Sequence, residues 1–163
     1  MKKLLCLVAI LLISLATSCK KKNSGNNNTN NNTVTPTACN GMNLCFKMNG
    51  TGESHDAVWK LQGYYYRIYW EQGSGSNFEN IELDIYGTTP GTYTVSAYPT
   101  AGLAGFQYFI NDYGNVKIIK GQSGTVEITG INGSEISGTF TITAGDGSTT
   151  YEITEGNFIA VPQ

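Results

Sequence analysis

The chain has 163 residues, the usual length of a single domain. Hydrophobic residues make up 40% of it, so we expect a packed core, whereas the charged share of 13% is about half the usual ~25%. One His and four Cys argue against multi-ligand transition-metal sites and His-based catalytic triads. Since no run of 18 apolar residues occurs, we expect no membrane-spanning helix.

The first 19 residues have the pattern of an export signal. A positive start, Met1-Lys2-Lys3, precedes 13 apolar or small residues, 4–16, which is the size of a signal-peptide core. The stretch ends in Leu15-Ala16-Thr17-Ser18-Cys19, which resembles the bacterial lipobox, whose Cys is acylated and becomes the new N-terminus. We therefore predict a lipoprotein signal peptide at 1–18 and a lipid anchor on Cys19. An ordinary secretory signal is the alternative.

The segment after Cys19 has the composition of a tether. Residues 20–38 include seven Asn, one aliphatic residue and no aromatic residue, too little apolar surface to offset the entropy of ordering. We assign 19–38 to the lipidated Cys and a disordered tether, and 39–163 to a folded domain that the anchor holds at a membrane.

The predicted domain is acidic. From residue 39 onward the chain has five basic and twelve acidic residues, a formal charge of −7, which the basic leader conceals in the overall value of −2. A surface that binds nucleic acid needs a basic patch for the phosphates, so nucleic-acid binding is not expected.

Two cysteines remain in the domain, Cys39 and Cys45. In an exported protein such a pair favours a disulfide, with two free thiols as the alternative. A metal site is disfavoured because no other Cys and no nearby His completes four ligands.

The domain sequence alternates between apolar and polar residues with the period of β-strands. The clearest segments are Tyr64–Trp70, Glu79–Tyr86, Thr92–Tyr98 and Glu135–Thr143. In the last of these, Gly138 shares the apolar face with Ile136 and Phe140, so we expect it to leave room for an aromatic ring.

Turn signals separate these segments: Asn49-Gly50, Pro90-Gly91, Asn132-Gly133 and Asp146-Gly147. Asn-Gly pairs tolerate the positive φ angles of type I′ hairpins. We predict an all-β domain of nine to ten strands, an antiparallel β-sandwich or flattened barrel.

Candidates for chemistry are few. Glu82 and Asp84 share one strand face, as paired carboxylates of a hydrolase could, but a solvated strand face is the simpler interpretation. Glu53, His55 and Asp56 form the cluster that contains the single His, which we place on a turn after Asn49-Gly50. With one further ligand it could hold a metal, but ordinary polar loop residues are the simpler interpretation. We predict no catalytic residue, no metal ligand and no cofactor.

The aromatic residues are the stronger lead. If Tyr64, Tyr66, Ile68 and Trp70 face the core, then Tyr65, Arg67 and Tyr69 lie exposed together, and Arg67 is the chain's single Arg. Exposed rings beside a guanidinium suit a glycan or a partner's loop, whereas the same residues could simply stiffen the sheet.

Several C-terminal segments, 91–93, 123–129, 136–140 and 153–158, are similar to a recurring pattern in small, uncharacterised β-rich envelope lipoproteins of Bacteroidota-type bacteria. The resemblance implies the fold and compartment and no catalytic residue. Surface-exported lipoproteins of that group tend to carry acids just after the lipidated Cys. Here Lys20–Lys22 follow it, which favours the periplasmic leaflet of the outer membrane over the cell surface.

Three functional hypotheses follow. The first is a non-enzymatic, lipid-anchored protein that binds an envelope protein or a glycan through an exposed face or loop end. The second is a calycin-like barrel that carries a small apolar ligand. The third is a hydrolase that uses paired carboxylates.

Overall fold

The computed structural model describes residue 39 and residues 42–163. The predicted signal peptide, Cys19 and the tether lie outside these residues. The described part contains ten β-strands and no helix. The strands are β1 (Leu44–Met48), β2 (Thr51–His55), β3 (Val58–Gln62), β4 (Tyr65–Ser74), β5 (Asn77–Ile85), β6 (Gly91–Val95), β7 (Leu103–Asp112), β8 (Asn115–Ile131), β9 (Ile136–Gly145) and β10 (Thr150–Pro162). Among the described residues, no helix is long and apolar enough to cross a membrane.

The strands form one sheet that closes on itself, which confirms the predicted flattened barrel or sandwich. The closed ring runs β10–β3–β4–β5–β7–β8–β9 and back to β10. Most neighbours are antiparallel, as predicted, but β3 pairs with β10, and β6 with β7, in parallel over two residue pairs each. The hairpin of β1 and β2 extends from β10, and β6 pairs with the second half of β8.

Alternate side chains along the strands point inward and fill the interior of the ring. The buried cluster combines aliphatic and aromatic side chains from eight of the strands, such as Ile68, Leu83, Phe106 and Ile142. Phe46 joins the β1–β2 hairpin to this core, with its ring centroid 6.3 Å from that of Phe106. The hairpin therefore packs over the core instead of projecting from it.

The turns agree with the sequence in part. Asn49 and Gly50 have φ of 49° and 83°, as a type I′ hairpin requires. Gly133 has a positive φ but Asn132 does not, so that connection is a wider turn closed by Asn132 N–H and Glu135 C=O. Tyr113 adopts a positive φ of 48° beside Gly114, a hairpin that the sequence did not indicate because Tyr rarely takes this conformation.

Cys39 and Cys45 form a disulfide, with their Cα atoms 5.4 Å apart. The side-chain amide of Asn157, a buried residue on β10, donates to Cys39 Sγ. The bond therefore links the start of the described chain to β1, beside the last strand.

Gly138 leaves room for an aromatic ring, as expected. It lies opposite Phe158 in the β9–β10 pairing, and a Cβ at Gly138 would approach Phe158 Cζ to 2.4 Å and Glu127 O to 2.1 Å. Gly156 makes the reciprocal space for Phe140 on the same pair of strands. Two rings thus pack over two glycines at the centre of the β9–β10 ladder.

We expect Gly138→Val to lower the free energy of unfolding by about 1–3 kcal/mol, because the new side chain overpacks this contact. A thermal or urea denaturation curve measures the loss. Gly52→Val is the matched control, since a Cβ at Gly52 meets no atom within 4 Å. Equal stability of the two variants would contradict the packing role of Gly138.

Candidate functional site

Arg67 is not a free cation but the centre of an ion-pair network. Its Nε and Nη2 donate to the two carboxylate oxygens of Asp84 at 2.7 and 2.8 Å, and Nη1 donates to Glu82 at 3.3 Å. This arises because β4 and β5 pair Arg67 directly with Asp84, with Glu82 two residues along the same face. A bidentate pair fixes the guanidinium plane, and this network raises the pKa of Arg67.

The carboxylates that the sequence offered as a catalytic pair are therefore both bound to Arg67. Burial raises the pKa of Glu82, and the charge of Arg67 opposes that rise. Both carboxylate oxygens of Asp84 accept hydrogen bonds from Arg67, so this side chain is held in one orientation. The geometry indicates a fixed polar surface.

The network forms the floor of an open groove of about 210 Å³, which we call the Arg67 groove. Its principal lining side chains are Arg67, Glu82, Asp84, Tyr86, Gln107 and Lys120. Pro99, on the connection between β6 and β7, forms one wall. Gly105 permits this, because a Cβ there would approach Pro99 Cγ to 2.8 Å.

Three tyrosines adjoin the groove. Tyr65 stacks on Tyr86 with ring centroids 4.6 Å apart and an interplanar angle of 13°, and the guanidinium of Arg67 lies 5.8 Å from the Tyr65 ring. Tyr64 contacts both rings at 5.9 Å and is 66% exposed, so it does not face the core as expected. We call Tyr64, Tyr65 and Tyr86 the tyrosine cluster.

The expected exposed face of Tyr65, Arg67 and Tyr69 is present only in part. Tyr65 and Arg67 are half-buried, but Tyr69 is 6% exposed, so its expected exposure is wrong. The Nζ atom of Lys60 lies over the Tyr69 ring, 4.5 Å from its centroid. Neighbouring strands thus cover the outward side of this tyrosine.

The single histidine lies in a second cavity. Glu53 and His55 belong to β2, not to a turn as predicted, and only Asp56 follows the strand. β2 faces β4, where the Trp70 ring lies 4.1 Å from the His55 ring. We call this space, about 380 Å³, the His55 cavity.

Glu79 joins this cavity from β5 and is not among the candidate residues predicted from the sequence. Tyr108 donates its hydroxyl hydrogen to Glu79, which holds the carboxylate at the rim and contributes, after burial, to the raised pKa of Tyr108. The period-2 pattern placed Glu79 on the apolar face of Glu79–Tyr86, where an acid is out of place. That mismatch was the available signal.

Burial and Glu79 perturb both titratable groups of β2. Partial burial lowers the pKa of His55, and the negative charge of Glu79 offsets part of that shift. Burial and the repulsion of Glu79 raise the pKa of Glu53. The cavity thus disfavours the charged forms of both His55 and Glu53.

Most of the folded part of the chain matches the model of a known family. Residues 72–162 match the model of a domain of unknown function, DUF6252, and they make up more than half of the chain. The chain belongs to the DUF6252 family. No curated protein and no solved structure matches it.

The DUF6252 match begins near the end of β4, so each cavity combines residues from inside and outside it. Glu82, Asp84 and Tyr86 lie within the match, whereas Arg67 precedes it. Glu79 lies within the match, whereas His55 precedes it. The expected resemblance is confirmed in that the chain belongs to a family of unknown function. The match begins at residue 72, upstream of the C-terminal segments, 91–158, that suggested the resemblance.

We expect NMR titration of His55, whose imidazole gives one set of signals, to yield a pKa below the ordinary 6.5. Glu79→Gln should lower it further, because the charge that offsets the burial shift is removed. Since the folded-state value lies below the unfolded one, the free energy of unfolding should fall as the pH drops from about 7 through the folded-state pKa. A value at or above 6.5 would contradict the burial of this ring.

Proposed function

We propose that this DUF6252 protein is a non-enzymatic, lipid-anchored protein of the bacterial cell envelope that binds a glycan in the Arg67 groove. The observation that carries the ligand class is the fixed Arg67–Asp84–Glu82 network beside the tyrosine cluster. Sugar hydroxyls both donate and accept hydrogen bonds, and this floor offers carboxylate acceptors and the remaining guanidinium donors. Tyrosine rings supply apolar area for a sugar's C–H face.

The same groove is less suited to an apolar ligand or to a hydrolytic reaction. Its charged lining disfavours an apolar ligand, and both of its carboxylates are already bound to Arg67. The interior of the ring, where a calycin-like ligand would lie, is occupied by the buried side-chain cluster. These features support the glycan-binding hypothesis over the other two.

A glycan array probed with the purified protein tests the ligand class. Tyr86→Leu should weaken binding of any glycan found by about fivefold to tenfold, because a ring contact is worth ~1 kcal/mol. Tyr98→Leu is the matched control, since Tyr98 is 85% exposed and does not line the groove. An array without a hit, or equal binding by the two variants, would overturn the proposal.

The membrane anchor rests on the sequence at Cys19, and we place it in the periplasmic leaflet of the outer membrane because Lys20–Lys22 follow it. Metabolic labelling with a radioactive fatty acid tests the acylation. We expect Cys19→Ser to lose the label. In a detergent phase-separation assay, the variant should move from the detergent-rich phase to the aqueous phase. Cys6→Ser, which changes a residue of the predicted signal peptide, is the control and should keep the label. Label retained on Cys19→Ser would contradict the anchor.

A further inference from the structure

The His55 cavity concentrates negative charge without a balancing side-chain cation. Its charged lining residues are Glu53, Asp56 and Glu79, and the other lining side chains include neither Lys nor Arg. The Arg67 groove differs, because Arg67 and Lys120 accompany its two carboxylates. The cavity is therefore an electrostatic complement to a cation.

An unpaired buried nitrogen on His55 adds a second, independent feature. The His55 side chain is nine-tenths buried, and its Nε2 atom makes no hydrogen bond to any part of the chain that the structure describes. Nε2 lies 3.9 Å from a carboxylate oxygen of Glu53, too far for a hydrogen bond. A buried polar atom without a partner costs free energy, so a ligand that hydrogen-bonds to it would be favoured.

We propose that the His55 cavity binds an aliphatic primary ammonium group. Such a group has three N–H donors, and the cavity offers three groups to receive them: the carboxylates of Glu53 and Glu79, and Nε2 of His55 in the tautomer with its proton on Nδ1. The Trp70 ring lines the same space, and an indole face attracts a cation and packs against its alkyl stem. This site is independent of the Arg67 groove, since Trp70 and Arg67 point to opposite sides of β4.

The arrangement fits an organic cation better than a metal ion. Within the described residues, no three His, Cys, Asp or Glu side chains come close enough together to ligate a metal. An ammonium on an alkyl stem tolerates this wider spacing, because its hydrogen bonds reach about 3 Å in three directions. Burial lowers the pKa of His55, which favours the neutral imidazole, in which one ring nitrogen is an acceptor.

The single imidazole of His55 provides a direct readout. We would titrate the purified protein with n-butylammonium at about pH 8, where the amine is still protonated, and follow the imidazole signals by NMR. Butan-1-ol is the uncharged counterpart. We expect a saturable shift with n-butylammonium and none with butan-1-ol.

Variants locate the response. Glu53→Gln keeps the side-chain shape and should raise the dissociation constant at least tenfold, whereas Glu127→Gln, on the exposed side of β8, should leave it unchanged. An equal response to butan-1-ol, or an unchanged dissociation constant in Glu53→Gln, would overturn the proposal.

A third probe distinguishes the sources of the ammonium. Nα-acetyl-lysine N-methylamide carries the same group on a peptide backbone. Tighter binding of this probe than of n-butylammonium would assign the site to a lysine side chain of a protein, and weaker binding would assign it to a free amine. Either order supports the ammonium site, and neither depends on whether the Arg67 groove binds a glycan.

Discussion

Both cavities depend on the closure of the sheet. Only two residue pairs join β3 to β10, Val58 with Val161 and Trp59 with Pro162, and Gln163 N–H adds one more bond to Trp59 C=O. Successive side chains of a strand point to opposite faces of the sheet, and closure turns one of these faces inward. On β4 the outer side presents Arg67 to the groove, while Trp70 on the other side packs against the core and borders the His55 cavity.

The acidic charge of the domain is distributed unequally between the two cavities. In the Arg67 groove, the direct pairing of Arg67 with Asp84 across β4 and β5 compensates two carboxylates and fixes their positions. In the His55 cavity, Glu53 comes from the edge strand β2 and Glu79 from β5, and no cation among the lining residues approaches them. In the Arg67 groove, the carboxylates are therefore already paired with a cation. The His55 cavity lacks a positive charge that a ligand can supply.

The sequence predicted those features that depend on local periodicity. Alternation placed Ile136, Gly138 and Phe140 on one buried face, and all three are buried. The same pattern put Glu82 and Asp84 on one face of their strand. It could not show that both meet Arg67, because a contact between strands depends on register, which the single-strand pattern leaves open.

The errors have the same physical origin. Tyr69 has the outward parity that the sequence implied, but Lys60 on β3 covers its ring, and such a cover depends on which strand is the neighbour. His55 was read with its sequence neighbours Glu53 and Asp56 alone. Its decisive partners, Trp70 and Glu79, come from strands that the β1–β2 hairpin reaches only by folding over the core.

The chemistry of the His55 cavity argues for a binding role on grounds of stability. The raised pKa of Glu53 means that its anion is less favourable in the folded chain than in the unfolded one, so this carboxylate weakens the fold at neutral pH. The unpaired Nε2 of His55 adds a second cost. A glutamine at position 53 would remove the repulsion from Glu79 without changing the side-chain shape. Groups that reduce stability in this way are typical of sites where a ligand recovers the loss.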